Sequence, residues 1–163
     1  MRIVYTLFGA VLIGGYAVVG AFLMNGWVVA AASGVSLDQA ITAMSEADQP
    51  YSIFGGLVFA ALGVLLALGW ALLALLPRVG LPVWASLALW AGILALGAPA
   101  YFFLSFGNMN SVGDTFSGWN AAAAFALEKP LYLISGAALL LCLGALAAPL
   151  LRHETRRASA ATA

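Results

Sequence analysis

The chain has 163 residues, of which 64% are apolar and only 7% are charged, and its formal net charge is zero. Soluble domains have about 45–50% apolar and about 25% charged residues, so this chain has too few polar side chains to cover a soluble core. Disorder is excluded as well, because disordered chains are poor in apolar residues. The composition indicates an integral membrane protein.

Four long stretches carry no charged side chain, and we predict spans at residues 3–28, 51–76, 83–106 and 131–151. A helix rises about 1.5 Å per residue, so about 20 residues cross a hydrocarbon core of roughly 30 Å. Backbone groups in lipid must be hydrogen-bonded within their own segment, so stretches of this length are helical. The predicted fold is an all-α four-helix bundle of residues 1–151.

The first apolar stretch continues to about Ala32, which is longer than one crossing requires. It predicts either a tilted helix or a helix that ends near Asn25 and resumes as an interfacial segment. The alternative is a cleaved signal peptide, although its apolar core would greatly exceed the usual length of about 7–15 residues.

Positive and negative charges fall on different sides of the predicted spans. Five of the six Lys and Arg residues lie at the termini or in the turn between the second and third spans: Arg2, Arg78, Arg152, Arg156 and Arg157. Lys129 is the sole cation on the other side, where five acids lie. The positive-inside rule therefore predicts that both termini and the Arg78 turn are cytoplasmic. Residues 152–163 are predicted to be a disordered basic tail near anionic lipid.

Small residues recur at helical spacing within the spans, and helices in lipid associate through such close-packing faces. The residues predicted to pack helices together are Gly14, Gly56, Ala60, Gly63, Ala67 and Gly92. Pro99 lies within the third span and predicts a bend there, because proline lacks the N–H that the helix requires.

The first outer segment, residues 33–50, predicts a short helix outside the membrane. Ser36 and Gln39 have the spacing of a capping box, and Pro50 is expected to stop the helix before the second span. Asp38 and Glu46 lie on its polar side. The segment is interpreted either as a connector on the membrane surface or as a docking helix for a partner.

The second outer segment, residues 107–129, is rich in Asn and Gly and predicts turns, followed by a short helix from Ala121 that Lys129 and Pro130 halt. A polar loop with bulky aromatic residues is expected to fold onto the bundle or onto another protein. The candidate contact residues of both outer segments are Asp38, Glu46, Asn108, Asn110, Asp114, Phe116, Trp119 and Asn120.

The usual signatures of catalysis, metal binding and cofactor binding are missing from the sequence. His153 is the only histidine, Cys142 is the only cysteine, and neither has a partner at metal-ligand spacing. No nucleophile elbow, zinc-protease, P-loop or dinucleotide motif is present. No cofactor, metal or nucleic-acid partner is predicted, and the expected partners are the lipid bilayer and other membrane subunits or copies of the chain.

The expected function is that of a non-catalytic accessory or assembly subunit of a larger membrane complex, which contacts partners through its outer loops and small-residue faces. The richness in Ala and the preference for Arg over Lys favour a bacterial inner membrane. Two alternatives remain open. One is an oligomeric small-molecule channel or transporter, and the other is a membrane-embedded enzyme that uses outer acids on a lipid or envelope precursor.

Overall fold

The computed structural model describes the backbone of residues 2–161 and the side chains of residues 3–149. Within this part of the chain every regular element is helical. The elements are α1 (Arg2–Phe22), a π-helical segment (Leu23–Trp27), α2 (Val28–Ser33), α3 (Leu37–Glu46), α4 (Phe54–Leu75), α5 (Val83–Ala95), α6 (Gly97–Thr115) and α7 (Ala121–Ala161).

Four of these helical runs are long and apolar enough to cross a membrane: Ile3–Ser33, Phe54–Leu75, Val83–Thr115 and Ala121–Pro149. The prediction of four membrane-spanning helices is confirmed at this level, and the chain is a multi-pass membrane protein. Three of the four runs extend beyond the predicted spans at the end that bears the acids. At that end, residues 23–33 of the first span, helix α3, the α3–α4 connector (residues 47–53) and residues 107–120 pack together. We call this structure the cap.

The first span is one continuous helical run. Instead of ending near Asn25, the chain passes through the π-helical segment and continues as α2 to Ser33. Gly34 then ends the helix with a left-handed backbone conformation, and its N–H donates to the carbonyl of Ala30. This is the usual way in which a helix ends at glycine.

The bundle consists of two closely packed helix pairs, α1 with α4 and α5 with α7. In the first pair, Gly63 lies against Ala17, and a Cβ atom at residue 63 would collide with the Ala17 Cβ. Ala67, one turn further along α4, is buried. Gly14 differs from the other predicted packing glycines, because a Cβ there would meet nothing within 4 Å. The α1–α4 contact is therefore close at Gly63, while Gly14 lies outside it.

The remaining predicted packing residues lie in looser surroundings or face a side chain. Ala60 is half-buried. A Cβ at Gly92 would lie 3.7 Å from the Cys142 Sγ, an ordinary van der Waals distance. A Cβ at Gly56 would collide with the side chain of Asn25 in the π-helical segment. Gly56 thus makes room for a polar side chain instead of a second helix backbone.

Two tryptophans connect the helices at the end opposite the cap. The indole N–H of Trp70, which is almost fully buried, donates to the carbonyl of Ser86 at 3.0 Å. The indole N–H of Trp90 donates to the carbonyl of Gly9 at the same distance. These bonds satisfy the indole of the buried Trp70 and that of the half-buried Trp90, and they join the second and third spans to each other and to the first.

The third span is interrupted at Leu96, between α5 and α6. Pro99 lies in the first turn of α6, where its missing N–H breaks no hydrogen bond within that helix. The Ser135 hydroxyl of α7 enters the gap: it donates to the carbonyl of Leu94 at 2.7 Å and accepts from the N–H of Ala98 at 3.1 Å. The helix is thus interrupted three residues before Pro99, and a serine from another helix bridges the interruption.

Tyr16 completes the hydrogen bonding at this break. Its hydroxyl lies 2.9 Å from the Ser135 Oγ. Because the single Ser135 proton is used on Leu94, the tyrosine must be the donor. Its ring occupies space that a Cβ at Gly97 would fill.

Helix α3 has the predicted capping box. The Ser36 Oγ accepts from the N–H of Gln39, and the Gln39 side chain accepts from the N–H of Ser36. Ala40 and Met44 are fully buried against the bundle, while Asp38 and Glu46 on the predicted polar side are exposed. The helix ends at Glu46, several residues before Pro50.

The second outer segment differs from its prediction. Residues 107–115 continue α6 as helix instead of forming turns, and the connection to α7 is limited to residues 116–120. The predicted stop at Lys129 and Pro130 is also wrong, because α7 runs through Pro130. A proline removes its own hydrogen bond to the residue four positions earlier and crowds that residue's carbonyl; here that residue is the exposed Ala126, whose carbonyl can bond to solvent or headgroups instead.

The last helix also continues further than the sequence predicts. Its backbone is helical to Ala161, where the sequence predicts a disordered tail. Ala and Arg are good helix formers, which agrees with this continuation. Side chains from residue 150 onwards, and residues 162 and 163 altogether, lie outside the described part of the chain. The predicted contact of the basic tail with anionic lipid therefore stays a prediction.

Candidate functional site

Asn108 on α6 fastens the cap from inside. The residue is buried, and its Oδ1 accepts from the N–H of Ser52 at 3.0 Å. Its Nδ2 donates to the carbonyl of Ser52 at 2.9 Å and to that of Met24 at 3.3 Å. One side chain thereby satisfies three backbone groups of the α3–α4 connector and the π-helical segment.

Ser111 makes a second bond of the same kind one turn further along α6. Its hydroxyl donates to the carbonyl of Pro50 at 2.7 Å. Asn108 and Ser111 are three residues apart and so lie on one face of the helix. The side chains on this face satisfy backbone groups of the connector that would otherwise have to bond to water or to one another within a turn.

The π-helical segment supplies further acceptors to the cap. The Tyr51 hydroxyl donates to the carbonyl of Asn25, and the Asn25 Nδ2 donates to the carbonyl of Ile53 at 3.1 Å. Burial raises the pKa of the Tyr51 phenol, so the group stays protonated and remains a donor. Such π-helical segments occur often at functional sites. In this one, the carbonyl of Asn25 accepts a hydrogen bond from the connector.

Asn120 joins the second connection to the first span. Its N–H donates to the carbonyl of Ala32 at 2.7 Å. Its Oδ1 accepts from the N–H of Ala123 at 2.9 Å, the geometry of an N-cap at the start of α7. The two predicted outer segments therefore belong to one hydrogen-bonded structure at the same end of the bundle.

The eight candidate contact residues fall into two groups. Asn108 and Asn120 hold the cap together as described, and Phe116 is half-buried against its core. Asn120 is exposed, and so are the five members that do not hold the cap together, Asp38, Glu46, Asn110, Asp114 and Trp119. Within the described residues, the side chains of Asp38, Glu46, Asn110 and Asp114 have no hydrogen-bond or ion-pair partner.

Glu128 is a site residue that the sequence analysis missed. It lies inside the continuous helix α7, and its Oε1 accepts from the hydroxyl of Tyr101 at 2.9 Å. Tyr101 is completely buried, and its ring makes edge contacts with Phe59 and Tyr132 at centroid distances of 6.0 and 6.2 Å. A half-buried carboxylate thus meets a buried aromatic cluster.

Glu128 also lines a groove of about 430 Å³ between α6 and the first part of α7. We call it the Glu128 groove. Its lining residues are Phe102, Ser105, Phe106, Met109, Trp119, Ala121, Ala124, Phe125, Glu128 and Tyr132. The spacing of Phe125, Glu128 and Tyr132 places them on one face of a single helix. The same spacing is visible in the sequence. The sequence analysis did not use it, because the predicted helix end at Pro130 assigned Tyr132 to a different segment from Phe125 and Glu128.

The described residues contain no group of three or more His, Cys, Asp or Glu side chains that could hold a metal ion. The chain matches no protein-family model, no curated protein and no solved structure. Its function is therefore inferred from its own residues.

Proposed function

We propose that this chain is a non-catalytic accessory or assembly subunit of a larger complex in the bacterial inner membrane. In this proposal both termini lie in the cytoplasm and the cap lies on the outer side. The charge distribution supports this orientation, because five of the six cations lie at the termini or in the Arg78 turn.

The observation that carries the proposal is the construction of the cap. Asn108, Ser111 and Asn120 fix its backbone by hydrogen bonds within the chain. A surface that is ordered before binding loses less conformational entropy when a partner docks, which favours association. The cap thus has the properties of a preformed contact surface.

The exposed side chains of the cap give this surface its chemistry. Asp38, Glu46 and Asp114 are acidic and have no ion-pair partner within the described chain. A partner subunit with basic residues at the same level would complement them, and such complementarity sets orientation and association rate. Trp119, 39% exposed, adds an aromatic contact of the kind that is common at interfaces.

A photo-crosslinking residue at Asn110 tests the proposal. We expect a discrete crosslinked product with another membrane subunit in intact membranes, because Asn110 is exposed on the cap and makes no hydrogen bond. The matched control is the same residue at Val79, which is exposed in the turn at the opposite end. The crosslinked partner should also co-purify with the wild-type chain in a fixed ratio in mild detergent.

Two outcomes would contradict this function. One is an equal yield of the same crosslinked product from Asn110 and Val79. The other is a purified chain that is monodisperse and free of any partner while no crosslink forms from Asn110.

A further inference from the structure

The Glu128 groove combines an apolar wall with a single carboxylate. Phe102, Phe106 and Met109 of α6 form one wall, and Phe125 and Tyr132 of α7 belong to the other. On α6 these residues recur at intervals of four and three, and on α7 Phe125 and Tyr132 lie two turns apart on either side of Glu128, so each helix presents an apolar strip on one face. Such a groove fits a flexible hydrocarbon chain.

The Glu128 carboxylate has unused capacity for hydrogen bonds. Its Oε1 accepts the Tyr101 hydroxyl, and no described lysine or arginine forms an ion pair with the residue. An ionised carboxylate accepts at both oxygens and is costly to hold away from water without a cation. The group therefore favours a ligand that brings positive charge and N–H donors.

The depth of Glu128 indicates the source of such a ligand. The apolar part of α7 ends before Arg152, and about 20 residues, the length of one crossing, lead back from there to Tyr132. The same count along the third span, from Val83, leads to Phe102. Glu128 lies one turn beyond Tyr132 on the cap side, which is the level of lipid headgroups.

We propose that the Glu128 groove binds one phospholipid with an ethanolamine headgroup. The ammonium group lies on the Glu128 carboxylate, and an acyl chain follows the strip from Phe106 to Phe102 and Tyr132. Ethanolamine is preferred over choline because its ammonium has three N–H donors and that of choline has none. Nearby aromatic faces add cation–π attraction for the same charge.

Lipid binding to the purified chain tests this proposal by native mass spectrometry in detergent. Phosphatidylethanolamine, phosphatidylcholine and phosphatidylglycerol with identical acyl chains are titrated separately. We expect one phosphatidylethanolamine to bind about tenfold or more tightly than either other lipid, since a hydrogen bond to a charged group contributes at least that factor.

Two variants inside the groove and two controls outside it locate the site. Glu128→Gln keeps an acceptor for Tyr101 and removes the charge, so the preference for phosphatidylethanolamine should disappear. Asp114→Asn makes the same charge change at an exposed residue outside the groove, and Lys129→Gln changes the adjacent exposed residue. Both should bind as the wild type does. Ala121→Trp fills the mouth of the groove from an exposed position and should abolish specific binding without disturbing the core.

The proposal is overturned if the wild-type chain binds the three lipids equally, or if Glu128→Gln or Ala121→Trp retains the wild-type preference. The thermal unfolding temperature without added lipid should be unchanged in both variants. If Glu128→Gln does not fold, the lipid preference of Ala121→Trp decides whether the proposal holds. This inference goes beyond the proposed subunit role. Its failure would leave that role intact, because the assay uses the chain without partners.

Discussion

Replacing Gly63 with leucine is expected to lower the free energy of unfolding by about 3 kcal/mol, near the upper end of overpacking costs. A Cβ at this position already collides with the Cβ of Ala17, which is attached directly to the backbone of α1. No rotamer change relieves that contact, so the two helices must separate. Thermal unfolding in detergent measures the loss.

The matched control is Gly14→Leu on α1, where an added Cβ meets nothing within 4 Å. This variant should be as stable as the wild type or slightly more stable, because leucine is a better helix former than glycine by up to about 1 kcal/mol. Equal destabilisation by both substitutions would contradict the close α1–α4 contact.

Replacing Asn108 with alanine is expected to reduce the free energy of unfolding by roughly 2–4 kcal/mol. The substitution removes three hydrogen bonds, to the N–H and carbonyl of the exposed Ser52 and to the carbonyl of the buried Met24, and a hydrogen bond typically contributes about 0.5–1.5 kcal/mol. Hydrogen exchange at the Ser52 amide should accelerate together with the loss of thermal stability.

Asn110→Ala provides the comparison for this variant. Asn110 is exposed and makes no hydrogen bond, so its removal should change stability by less than about 0.5 kcal/mol. If the two asparagines contribute equally to stability, Asn108 does not fasten the cap as we describe.

The features that were predictable from sequence depend on local chemistry. The four spans follow from uninterrupted apolar length, which is a property of each segment alone. Helix α3 follows from the Ser36–Gln39 capping box and from the spacing of Ala40 and Met44. The interruption of the third span at Leu96 lies close to Pro99, the residue at which the sequence predicts a bend. None of these requires knowledge of the neighbouring helices.

The features that were not predictable depend on contacts between segments. Residues 107–115 have the composition of a turn, yet they are helical because Asn108 and Ser111 find their partners on the α3–α4 connector. A sequence pattern does not reveal that connector. Likewise, Ser135 has no distinguishing feature in the sequence, although it bridges the break between Leu94 and Ala98.

Glu128 was missed for a different reason. Its charge, with Lys129 and Pro130 beside it, is typical of the end of a membrane span. In the structure α7 begins at Ala121, so the same residue lies within a continuous helix beside Tyr101. The signal available in the sequence was the pair of aromatic residues on the same helix face, Phe125 three positions before Glu128 and Tyr132 four positions after it.

The orientation of the cap is tested most directly by cysteine labelling in intact cells. Single cysteines replace Asp114 on the cap or Arg78 in the opposite turn, in a chain whose native Cys142 is changed to serine. A membrane-impermeant thiol reagent should label residue 114 in intact cells and residue 78 only after permeabilisation. Labelling of residue 78 from outside, with residue 114 protected until the membrane is opened, would contradict the proposed orientation.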